Sequence, residues 1–268
     1  MIRFNKYFVA LKLSQEGVGR KEVLSEIFNR RAFSNNGEVL EYKKKLDRER
    51  IKVVSFCDKE YPKLLKQIDD YPLLLFCKGN TNLLTKKMIT IVGTRKMSKY
   101  GKWSIEYILK PFANRNDIVV VSGLAKGVDG CVHDTCIRFN IPTIAVVAGG
   151  LDIGYPKSNQ KLYDNLLKNN LIISEFPPGR SITKGMFPMR NRILAGISFA
   201  TVIIESDLTG GSLITTNLAL EYGREIFAVP CNINRYSSQG CNNIILDGAV
   251  PIFKQDQLIK FVKNLKQY

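Results

Sequence analysis

Between residues 88 and 230 the chain repeats one kind of segment, a short run of apolar residues that is continuous rather than alternating and closes on glycine, proline or a small loop. The runs are MITIVG (88–93), IVVVSG (118–123), PTIAVVAGG (142–150), LIISEF (171–176), ATVIIES (200–206) and REIFAVP (224–230). Continuous hydrophobicity marks strands buried on both faces. Amphipathic stretches separate most of the runs, which predicts repeated βαβ units and a parallel α/β sheet. In such a sheet, ligands bind outside the carboxyl ends of the strands.

Two flanking regions differ in texture. Residues 1–50 read as a small helical domain, with Phe8, Leu11, Leu24, Ile27 and Phe28 at helical spacings among charges, and residues 51–268 as the sheet domain. The EGVGR run (16–20) fits either the glycine turn of a helix-hairpin-helix or a glycine helix cap. The tail, 251–268, reads as a strand end followed by an amphipathic helix carrying Leu258, Ile259, Phe261, Val262 and Leu265.

Charge narrows the partners. Lys and Arg number 40 against 24 Asp and Glu, a formal +16. Such an excess suits a polyanion, because each neutralised phosphate releases condensed counterions; a composition bias toward lysine is the alternative. Cys57, Cys77, Cys131, Cys136, Cys231 and Cys241 form no CxxC pair, and His133 is the single histidine, so no metal site is expected. No signal peptide or membrane span is expected either, and the predicted location is the cytoplasm with reduced thiols.

The loops after the runs carry the functional signal. After MITIVG, Gly93 permits a tight turn, Ser98 can cap the next helix, and Lys86, Lys87, Arg95, Lys96, Lys99 and Lys102 occur with no acid from 86 to 102. This loop is not a Walker A motif, since Lys102 is followed by Trp103. After IVVVSG, the SGLAKGVDG segment brings Ser122, Gly123, Lys126 and Gly127 to a helix start that favours phosphate. Its spacing is not GxGxxG, so no nicotinamide or flavin cofactor is expected. Asp129 can cap that helix, and His133 reads as a packed core residue. Further on, Arg180, Lys184, Arg190 and Arg192 surround Phe187 without an acid. Cations interleaved with a stacking aromatic suit single-stranded nucleic acid. Arg190 and Arg192 fit a structural role equally, with Glu175 or Glu205 as the partner of Arg192. Gly211 and Ser212 open one more helix, at LTGGSLITT.

In order along the chain, DKEYPKLLKQIDDYPLLLFCKG (58–79), VGTRKMSKYG (92–101), VSGLAKGVDGCVH (121–133), GGLDIGYPKSN (149–159), ISEFPPG (173–179), FPMRNRILAGIS (187–198), GGSLITTNLALEYGRE (210–225) and GCNNIILDGA (240–249) resemble the DNA-processing protein A (Smf) family. The resemblance implies an extended Rossmann-like domain that binds single-stranded DNA without catalysis, forms a homodimer, and loads the recombinase RecA onto DNA entering during natural transformation. It assigns the DNA-contacting loop to Gly93, Thr94 and Arg95, and a lysine and base-contacting aromatic to Lys184 and Phe187. The chain departs from the family at Gly130, Cys131 and Val132, where alanines are usual, and at Cys231, where glycine is usual. It is expected to lack the winged-helix domain many members carry.

A rival reading is a nucleotide-binding or phosphoribohydrolase-like enzyme, since GGSLITTN partly resembles a PGGxGTxxE loop. That loop needs a glutamate where this chain has Thr216 or Asn217.

Overall fold

The computed structural model describes residues 36–152, 154–235 and 238–265. Helix α1 (Asn36–Arg48) leads into strands β1 (Ile51–Ser55) and β2 (Leu74–Gly79). The repeating part follows as β3 (Lys87–Val92), α2 (Lys99–Leu109), β4 (Ile118–Ser122), α3 (Val128–Arg138), β5 (Thr143–Val146), α4 (Gln160–Asn169) and β6 (Leu171–Ser174). A second series runs α5 (Met186–Gly196), β7 (Ala200–Ile203), α6 (Gly211–Glu221), β8 (Glu225–Ala228), α7 (Gln239–Leu246), β9 (Val250–Pro251) and α8 (Gln257–Asn264). The segment EGVGR lies outside the described residues.

One nine-stranded sheet results, in the order β1-β2-β6-β5-β4-β3-β7-β8-β9. Pairing is parallel from β6 through β9, in register with Thr90 opposite both Val121 and Thr201. Successive crossovers move outward from β3 in one direction and, after α5, from β7 in the other. The order therefore reverses between β3 and β7, which opens a crevice at their carboxyl ends.

The six apolar runs become β3 to β8. Buried on both faces, they alternate between two cores: Val119 and Val121 pack toward Ile193, Leu194 and Ala219, whereas Ile118 and Val120 pack toward Ile105, Leu109 and Val132. A third core joins Leu46 of α1 to Phe76 of β2, Tyr163 and Leu166. The antiparallel pair β1–β2, which extends the sheet beyond β6, is not foreshadowed by the apolar runs. The chain returns from β1 to β2 through residues 56–73 with only a 3-10 turn, Leu65–Gln67, and so shows no helical crossover. The tail helix buries Leu258, Ile259 and Val262 against Val229 and Ile252, so its apolar side belongs to the chain's own core.

Candidate functional site

The loop after β3 is held from both sides. Thr94 donates its backbone N–H to the carbonyl of Glu205 at 2.7 Å, and its own carbonyl accepts from Val128 N–H at 3.1 Å. Gly127 makes this possible, with φ of +79° and a hypothetical Cβ 2.4 Å from the Thr94 oxygen, a place no side chain can occupy. Ser98 caps α2 by accepting from Gly101 N–H, and the buried Glu205 carboxylate accepts from Ser98 N–H at 2.8 Å. With the backbone anchored this way, the side chains of Arg95 and Lys96 project into solvent.

Beside this loop, Gly123 leaves room for Arg190. A Cβ on Gly123 would lie 1.6 Å from Arg190 Nη1. Arg190 is buried and sits 3.9 Å from the equally buried Asp129. Its Nε and Nη1 have no hydrogen-bond partner among the described residues. Burial pushes the Asp129 carboxyl up, against the pull of Arg190 and of the backbone at Ala125 and Gly123. Asp129 therefore ties its own loop together beneath Arg190, rather than capping α3, whose N-cap is Gly127. Burial lowers the pKa of Arg190, and the field of Arg95 lowers it further. Two guanidiniums that repel each other across a cleft favour an anion between them.

The cleft holds about 210 Å³ and is walled by Ala148, Gly149, Tyr155, Ile182 and Phe187, with Lys126 at its edge. Arg95 lies over the Phe187 ring, 5.6 Å from the centroid, and Tyr155 meets the same ring at 6.0 Å with a 56° tilt. Aromatic faces and cations thus converge on one opening. Tyr155 is missing from the sequence-derived site. The GYP segment after the Gly149-Gly150 turn was a signal that an aromatic returns to a strand end.

Other expected residues fall at varying distances from this opening. Lys184 is exposed just before α5, with its carbonyl accepting from Phe187 N–H at 3.4 Å. Ser122 is buried and donates its hydroxyl to the carbonyl of Ile91 at 2.7 Å. Arg192 does not line the cleft: it binds both carboxylate oxygens of Glu175 and lies 3.3 Å from Asp70, so of the two partners considered Glu175 is the one used. Gly211 and Ser212 start α6, where the Ser212 hydroxyl reaches Ser206 at 2.8 Å, also outside the cleft lining. His133 is fully buried, with Nδ1 2.8 Å from Thr143 Oγ1, and burial drives its pKa down to about 3.

The lining residues can bind an anion and stack a planar ring. Asp129 sits beside Arg190, Asp152 lies against the Gly150 wall and accepts from Gly179 N–H at 2.8 Å, and the side chain of Glu205 is turned to Ser98 and Arg235. Among the described residues no cluster of metal-ligating side chains forms, and no helix is long and apolar enough to cross a membrane.

A doubly wound sheet with a cationic, aromatic-walled cleft beside its switch point defines a Rossmann-like binding protein. The sequence family is equally definite. The model of DNA recombination-mediator protein A matches residues 52–263, and the chain belongs to that family. It is 41% identical to DNA processing protein DprA of Streptococcus pneumoniae over 77% of this chain and 73% of that protein. Identity to the Bacillus subtilis DprA is 40% over 78% and 71% of the two chains. The X-ray structure of the Streptococcus pneumoniae protein superposes with a TM-score of 0.77 at 34% identity, covering 96% of this chain and 92% of that one. DNA processing protein A from Helicobacter pylori superposes at 0.72 with 30% identity, covering 80% and 96%.

Proposed function

We propose that this chain binds single-stranded DNA without catalysis, in DNA uptake and recombination, with the strand crossing the carboxyl-end rim at Gly93, Thr94, Arg95, Lys96, Gly123, Lys126, Lys184, Phe187 and Arg190. The observation that carries the reading is the pairing of Arg95 with Phe187 above the buried guanidinium of Arg190. Cations there meet phosphates and the ring meets a base, whichever base it is. The related Helicobacter pylori protein is described by its single-stranded-DNA binding mode. Action in the cytoplasm, which rests on the sequence reading, completes the proposal together with handing of the strand to RecA and a homodimer, which rest on the family resemblance.

An oligonucleotide titration comparing single and double strands, run beside a nucleotide-hydrolysis assay on the same preparation, tests it. Tighter binding of the single strand with no turnover is the expected result. Nucleotide cleavage, or equal affinity for both strands, overturns it.

A further inference from the structure

Helix α2 begins immediately after the loop that carries Arg95, and its outer side is unusual for a surface helix. Tyr100, Trp103 and Tyr107 stand one above another: the first two rings are 6.0 Å apart at 22°, the last two 4.8 Å apart at 19°. Trp103 is 55% exposed, and Phe253 across the groove is 72% exposed. Between them lies a cavity of about 250 Å³, also bounded by Pro230, to whose carbonyl the Tyr100 hydroxyl donates at 2.8 Å. The rings are thus fixed in place before any partner arrives.

Exposed lysines without a carboxylate partner flank the ladder. Lys96, Lys99 and Lys102 are exposed, and among the described residues none of them forms an ion pair. The one acid on α2, Glu106, is held by Arg138 at 2.7 Å. Exposed, near-parallel rings beside cations without a carboxylate partner suit bases and phosphates.

We propose that the ladder on α2 is a second binding surface for the same single-stranded DNA, which leaves the cleft past Arg95 and Lys96 and stacks its bases against Tyr100 and Trp103. This rests on the reading of the cleft given above. A strand long enough to reach α2 adds stacking and phosphate neutralisation there; one that only fills the cleft does not.

Trp103 is the chain's single tryptophan, so its fluorescence reports the ladder directly. The test titrates the full chain with oligothymidylates of about 5 and about 20 nucleotides, lengths that bracket the site sizes of single-strand binders. The longer strand is expected to quench Trp103 and the shorter to bind without quenching. Trp103→Ala is expected to weaken the longer strand roughly ten- to hundredfold, the equivalent of losing one stacked base, leaving the shorter unchanged. Trp103→Phe should restore most of the affinity, which separates stacking from damage to the fold. If the longer strand binds tightly with unchanged emission and Trp103→Ala has no effect, the ladder proposal falls while the cleft reading stands. If neither strand binds, both fall. A change of sedimenting mass in Trp103→Ala with DNA affinity intact would make the groove an interface between copies and overturn the proposal.

Discussion

The guanidinium of Arg95 lies 5.6 Å above the ring centroid of Phe187, joining the loop after β3 to the first turn of α5 across the mouth of the cleft. Each side chain restricts the other's rotamers before DNA arrives, so less side-chain entropy is lost on binding. Arg95→Glu removes a cation that meets phosphate and introduces repulsion. It is expected to weaken single-strand affinity strongly, and to flatten the log affinity against log salt slope by ~0.7 for each phosphate no longer neutralised. Anisotropy titrations at several salt concentrations measure both; an unchanged slope would remove Arg95 from the interface.

Phe187→Ala should behave differently. Loss of a stacked base is expected to cost ~1–3 kcal/mol of binding with little change in salt dependence. Phe187→Leu, which keeps apolar volume but no ring face, should resemble the alanine variant in DNA affinity while retaining more stability.

Much of this architecture was legible in the sequence because buried parallel strands need continuous apolar runs, and each run from 88 to 230 became one strand. β1 and β2 escaped because a pair joined without a crossover helix has no βαβ rhythm, and Lys52 and Lys78 interrupt their apolar character. The site was legible in part. Arg95, Gly123, Lys126, Phe187 and Arg190 do converge on the cleft. Composition alone does not separate Arg190 from Arg192. Residues two apart on a helix point about 200° from each other, so once Arg190 joins Phe187 at i, i+3, Arg192 must face elsewhere. Tyr155 was hidden because its position depends on the path of a loop.

Arg192→Met tests that division. Losing the guanidinium removes the ion pair to Glu175 and is expected to lower stability by about 1–3 kcal/mol. Single-strand affinity of the folded variant should be unchanged. Urea unfolding and a DNA titration on one preparation suffice, and an affinity loss without a stability loss would place Arg192 on the DNA.

Gly123→Ala acts through the space Arg190 occupies. A methyl 1.6 Å from Nη1 forces the guanidinium away from Asp129, and such crowding typically costs about 1–3 kcal/mol. Both thermal stability and single-strand affinity should fall. A variant with unaltered melting and binding would show that the cleft floor repacks freely.

Stability should also depend on acid through His133. Its folded pKa, about 3, lies below the ordinary value of 6.5, so the unfolded chain binds the extra proton first. The stability tied to the neutral imidazole is complete above pH 6.5 and declines progressively as pH falls toward 3. Urea unfolding between about pH 7.5 and about pH 4.5, spanning the upper part of that window, should show this decline; His133→Gln should make the profile shallower.

The cleft draws on loops behind four neighbouring strands, β3, β4, β5 and β6, and on a helix that precedes a fifth, β7. No contiguous peptide contains it. Occupancy and global folding are therefore thermodynamically linked: a ligand that recognises only the assembled sheet raises resistance to unfolding by RT ln(1 + [L]/Kd). Saturating oligonucleotide should accordingly slow amide exchange in the innermost strands, far from any atom the DNA touches, wherever exchange requires the whole sheet to open.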